Sequence, residues 1–178
     1  FEKIRVPIRT LNTALLNEAS PIHNLSQNLS ATLSQISEFI NSYEEADAKL
    51  KDIEQEITPV INTNWDSSQM VESVVIQVKC LNTIIFEAEK GETIANEMLS
   101  MVDILDDPET KSELNTRIAN LNDIKERATK LLDDKNALLR FLKRNRISGC
   151  ETRHSYDNMY VSQLYDVCED NVLRNIQA

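Results

Sequence analysis

The chain has 178 residues, enough for one domain with a continuous core, and its 29 acidic against 19 basic side chains give a net charge of −10. Such a surface repels phosphate backbones and anionic membranes, which argues against general nucleic-acid binding. Two Gly and four Pro are too few turn formers for a sheet protein and point to long helices, and with aromatics at 5% the core must be built mainly from Leu, Ile, Val and Ala.

No apolar run approaches the roughly 20 residues needed to span a bilayer, so no membrane insertion is expected, and no signal or transit peptide is visible. The apolar pattern is already running at Phe1, and a processed protein or a segment of a longer one is expected. Phe1, Ile4, Ile8, Leu11 and Leu15 keep the phase of the helix that follows and miss only at Glu18. Residues 1–20 are therefore read as an N-terminal helical extension of the same column, with a separate short helix over 8–20 as the alternative.

The first long helix is predicted over 22–58. Ile22, Leu29, Ile36, Tyr43, Leu50 and Ile57 recur every seven residues, and Leu25, Thr32, Phe39, Ala46, Ile53 and Val60 form the companion line. Leu33 and Ile40 widen the stripe on a flanking position. A repeat of seven keeps one stripe on a partner helix if the helices coil gently left-handed. Ser20-Pro21 supplies a cap and a first turn, and Pro59 is read as the stop. The turn-rich stretch 62–68 follows, with Asp66 or Ser67 as the next cap.

The second helix, over 67–106, carries Val71, Val78, Ile85 and Leu99 on one line, interrupted at Glu92, and Val74, Leu81, Ala88, Ala95 and Val102 on the other. Gly91 inside it costs about 1 kcal/mol relative to Ala and marks a close helix crossing or a bend. Asp106-Asp107-Pro108 ends this helix and caps the next. The third helix, over 109–147, carries Leu114, Leu121, Ala128 and Leu142, interrupted at Lys135, with Ile118, Ile124, Leu131, Leu138 and Leu139 beside them. Cations in its last turn suit the helix dipole, and Gly149 follows. A shorter helix over 155–177 shows Val161, Leu164, Cys168, Val172 and Ile176 at helical spacing. Residues 1–178 thus read as a single all-α domain, an elongated antiparallel three-helix bundle with a shorter fourth C-terminal helix. Ile36 and Leu81 fall in its core, Glu45 and Lys51 on its surface.

No catalytic set assembles from these residues. His23 and His154 are the only histidines, and the two glycines stand apart, so there is neither a triad nor a phosphate-cradling loop. Glu38, Glu44, Glu45, Asp47, Asp52, Glu54 and Glu56 read as a solvated helix face. The single pair Glu151 and His154 is too little for a carboxylate di-metal bundle, and Cys150, His154 and Cys168 match no compact zinc site. No cofactor or metal is implied. The cluster Arg140, Lys143, Arg144 and Arg146 is read as the charge complement of the acidic end of the first helix. Tyr156, Met159, Tyr160 and Tyr165 form the densest aromatic group, suited either to a protein interface or to capping the open end of the core.

The function expected is a non-enzymatic protein-interaction module from a secreted or cell-surface protein, with self-association possible. Two rivals are an intracellular (cytoplasmic) coiled-coil scaffold or tether and a helical carrier of an apolar ligand. Two sequons, Asn24-Leu-Ser and Asn28-Leu-Ser, fit an extracellular glycoprotein. Three cysteines allow one disulfide. If the fourth helix starts at the end of the bundle where the second starts, Cys80 and Cys168 each lie about 13 residues, roughly 20 Å, from that end. That level pair suits a disulfide and leaves Cys150 over, whereas a folded-back loop at 150–160 would pair Cys150 with Cys168 instead. Non-reducing peptide mapping should return a Cys80–Cys168 peptide, and a Cys150–Cys168 peptide would refute both that pairing and a regular fourth helix.

Overall fold

A computed structural model of the chain describes residues 5, 9, 23–65, 69–145 and 160–166. The fold is all-α, with three long helices packed against one another and a short C-terminal helix, and no strand occurs among the described residues. Helix α1 is His23–Ile61, α2 is Val71–Leu105 and α3 is Pro108–Arg144. The short helix α4 covers 161–166. At 39, 35 and 37 residues the long helices are well matched in length. Contacts group the chain into two compact units, one made of Phe1–Leu50 with Ile94–Arg117, the other of Lys51–Thr93 with Ile118–Ala178.

In the first unit, Leu33, Ile40, Tyr43 and Leu50 of α1 pack with Ala95, Met98 and Val102 of α2 and Leu114 of α3, all buried. Arg117 fixes the register of α1 against α3 by a 2.6 Å bond to Asp47. Burial, with the Asp47 charge adding to it, pushes the Tyr43 hydroxyl one turn earlier up to about 12. The α2–α3 turn is built by its own residues. Asp106 takes a left-handed φ of 49°, a conformation Asp tolerates better than most residues. Asp107 then caps α3, accepting bonds from the Thr110 N–H at 3.3 Å and the Thr110 hydroxyl at 2.8 Å. Pro108 holds the first helical position, where a missing N–H costs nothing.

Because Asp47 faces Arg117, Pro108 reaches back only to about residue 38 of α1, nine residues earlier. Residues before that point outrun α3. Leu29 is accordingly 43% exposed, and Ile36 is half-buried rather than in the core where the heptad phase puts it. The N-terminal segment is also corrected. Arg5 bonds to Glu44, and Arg9 bonds to Asn41 at 2.7 Å and to Glu44 at 3.2 Å. A straight helix would hold residues 5 and 44 roughly 58 Å apart, so Arg5 and Arg9 stand alongside α1 and not in line with it. The remainder of 1–20 lies outside the described residues.

In the second unit the core is made of Ile53, Ile57, Val60 and Ile61 of α1, Val74, Leu81, Ile84 and Ala88 of α2 and Leu121, Ile124 and Ala128 of α3, all buried. Pro59 does not stop α1, which runs on to Ile61. Proline loses its own N–H and crowds the carbonyl four residues back, but here it sits exposed in the last turn, and burial of Val60 and Ile61 beyond it offsets that cost. Thr63 closes the end, its hydroxyl donating to the Pro59 carbonyl at 2.7 Å.

The line Val74, Leu81, Ala88, Ala95 and Val102 is wholly buried, as its spacing predicts. Its companion is Gln77, Ile84, Gly91 and Met98, also buried, whereas Val71, Val78, Ile85 and Leu99 are half-buried. Gly91 is buried and has no positive φ, so its missing side chain serves close packing and not a left-handed turn. On α3 the line Leu114, Leu121, Ala128, Lys135 and Leu142 is buried throughout, Lys135 included.

In urea unfolding, Leu81→Ala should cost about 2–5 kcal/mol, Ile36→Ala less than half as much as Leu81→Ala, and Glu45→Ala no more than about 0.5 kcal/mol. Equal costs for Ile36→Ala and Leu81→Ala would overturn the offset of α1 against α3.

Candidate functional site

The densest polar chemistry lies in the second unit, where α4 and the α1–α2 connection meet α2 and α3. Side chains of α2 are buried on nearly every side between Ser73 and Leu81: Ser73, Val74, Ile76, Gln77, Cys80 and Leu81. Helix α1 has ended at Ile61, so Trp65, Val161, Leu164 and Tyr165, all buried, complete the core there.

Three polar contacts fix α4. The Cys80 thiol donates to the Val161 carbonyl at 3.5 Å. Glu56 Oε1 accepts from the Ser162 N–H at 2.9 Å and from its hydroxyl at 2.8 Å, a carboxylate placed where a helix start favours negative charge. The Tyr165 hydroxyl donates to the Asn64 carbonyl, and its ring meets Trp65 edge-on with centroids 4.7 Å apart. The Lys135 ammonium is buried and donates to the Trp65 carbonyl, which explains a lysine in a core position of α3. A bond of 2.9 Å from Lys125 to Glu92 likewise explains the acidic interruption on α2. Two buried atoms here, Trp65 Nε1 and Gln77 Oε1, find no hydrogen-bond partner among the described residues.

Of the aromatic group, Tyr165 caps the core, Tyr160 is 69% exposed, and Tyr156 and Met159 lie outside the described residues. Helix α4 lies against α2, yet the backbone beside Cys80 is Val161, and 162 to 165 advance from Glu56 towards the connection at Asn64 and Trp65. That direction is opposite to the one assumed in aligning Cys80 with Cys168. Cys168 and Cys150 lie outside the described residues, among which no disulfide occurs. Asn28 is exposed on α1, and the backbone of Asn24 lies in the same helix.

The acidic face of α1 is only partly solvated. Glu38, Glu45 and Asp52 are exposed, whereas Glu44 binds Arg5 and Arg9, Asp47 binds Arg117, and Glu56 binds Ser162. The hydrogen bond from Arg5 holds the Glu44 carboxyl below the usual carboxylate range.

The basic end of α3 does not face that acidic surface. Arg127 already reaches the end of α1, bonding to the Asn62 side chain at 3.2 Å and the Ile61 carbonyl at 3.3 Å. Arg140 lies 13 residues further on, roughly 20 Å along the helix. Arg140, Lys143 and Arg144 are exposed, and Arg146 lies outside the described residues.

No group of three or more His, Cys, Asp or Glu suited to a metal ion occurs among the described residues. A shallow depression lined by Lys125, Glu126, Thr129, Lys130 and Asp133 is formed by one helix alone. No described helix is long and apolar enough to cross a membrane. No protein-family model, curated protein or solved structure matches the chain.

Trp65, the single tryptophan, reports on this end of the unit. Tyr165→Ala should shift its fluorescence to the red and cost about 3–5 kcal/mol, as for other buried aromatic truncations. Tyr165→Phe should leave the emission in place and cost only about 0.5–1.5 kcal/mol, the worth of one hydrogen bond. An unshifted spectrum for Tyr165→Ala would remove α4 from the core.

Proposed function

We propose that the chain is a non-enzymatic protein-interaction module whose working surface is the outside of its helices. The observation that carries this reading is the set of large apolar side chains held out to solvent. Phe86 is 63% exposed, Phe141 57% and Tyr160 69%, all on the second unit. Aromatic residues in such positions are the usual anchors of protein interfaces. Two polar side chains of this region have structural tasks: buried Lys135 holds the connection and half-buried Glu56 holds α4.

A secreted or cell-surface setting belongs to the same proposal, supported by the exposed Asn28 in its sequon. Affinity purification of the tagged chain from its native source, followed by reconstitution with the purified candidate, should give a defined heteromeric complex in sedimentation. Phe86→Ser, Phe141→Ser and Tyr160→Ser together should weaken it without loss of helicity. A complex indifferent to all three substitutions would overturn this reading of the surface.

A further inference from the structure

Upstream on α3, most cations are consumed within the fold, and Lys130 is the exposed exception. Lys111 binds Asp103 at 2.7 Å, Arg117 binds Asp47, Lys125 binds Glu92, and Arg127 reaches the end of α1. Past Lys135 the pattern changes. Arg140, Lys143 and Arg144 are exposed and form no ion pair with a described residue. Lys143 and Arg144 stand in the last turn, where they complement the helix dipole. Arg140 stands a full turn earlier and has no such role, and neither does Phe141, 57% exposed beside it.

At 100° per residue, Lys143, Arg140, Arg144 and Phe141 fall in that order across about 160° of the helix circumference. Leu142, buried, points the other way. The result is a fork of three cations with an aromatic ring at one side, carried beyond the end of α1. Asp133 and Asp134, both exposed, bound it further down the helix.

We propose that this end of α3 docks an acidic helical segment of a protein partner, an inference that rests on the interaction-module reading above. Charge complementarity selects an acidic ligand, and Phe141 selects one that also presents an apolar side chain. Arg140 and Arg144, one turn apart, match carboxylates at i and i+4 of a facing helix, which an Arg fork binds in two-pronged fashion. Nucleic acid and anionic bilayers fit less well. Both spread negative charge over a wide area, and the chain's net charge of −10 opposes their approach outside this one end. A short acidic helix meets only the cations.

The test is fluorescence anisotropy at low salt with the full chain and a short fluorescein-labelled helical peptide carrying Glu at i,i+4 spacing around a central Leu. The same peptide with Gln for Glu, phosphatidylserine vesicles and a single-stranded RNA serve as competing probes. The Glu peptide should bind at least about tenfold more tightly than the Gln peptide. Arg140→Glu with Arg144→Glu, and separately Phe141→Ser, should each weaken it by about tenfold or more, the loss expected for interface anchors. Circular dichroism identifies the variants that retain the fold, and Arg140→Gln with Arg144→Gln replaces the reversal if that variant does not. No preference for Glu over Gln, unchanged affinity in the folded variants, or tighter binding of vesicles or RNA would each overturn the proposal. A native partner that reconstitutes with the chain but ignores these substitutions would sink this docking surface alone. Absence of any partner would sink the broader reading.

Discussion

The early end of α1 is the constraint on which one whole end of the second unit depends. Helix α1 stops at Ile61, level with Arg127 of α3, while α3 continues to Arg144 and α2 begins at Val71. The first turns of α2 would otherwise expose Ile76, Gln77, Cys80 and Ile84. Burying a side chain of that size is worth about 1.5–3 kcal/mol, so a replacement for α1 is strongly favoured. Trp65 and the inner face of α4 supply it. The Glu56 carboxylate and the Asn64 carbonyl then hold α4 in place, both from the stretch where α1 runs out.

Polar residues inside this packing select an arrangement more than they add stability. A buried lysine is costly unless its charge is satisfied. Lys135 therefore favours a register that brings the Trp65 carbonyl within reach. The bond between Lys125 and Glu92 constrains α2 against α3 in the same way. A seven-residue apolar repeat permits slippage by whole heptads, and such polar contacts remove that freedom.

The same offset shapes the surface. Arg117 and Arg127 of α3 are met by α1, whereas Arg140, Lys143 and Arg144 at its end are left to solvent with Phe141 among them. A helix that outlasts its neighbour presents more of its circumference to solvent, and with it more surface for recognising another molecule.

The all-α class, the α2–α3 turn at Asp106-Asp107-Pro108 and the principal lines of α2 and α3 were legible in the sequence, because local capping and strict spacing depend on neighbours along the chain. The companion line of α2 was not. Gln77 and Gly91 are poor matches to an apolar template, yet a small or amide side chain packs well at a close crossing, and the better-scoring Val71, Val78 and Ile85 lie one position off the seam. Lys135 and Glu92 read as interruptions because their partners, Trp65 and Lys125, are 70 and 33 residues away. Trp65 itself sat in a turn-rich stretch whose composition gave no sign of burial. The placement of Arg5 and Arg9 beside Glu44, the direction of α4 and the solvation of Arg140 to Arg144 all follow from how far each helix extends relative to its neighbours. Periodicity records which face of a helix is apolar and is blind to a shift along the axis. That shift was decided only in three dimensions, by contacts such as Asp47 with Arg117 and Ile61 with Arg127.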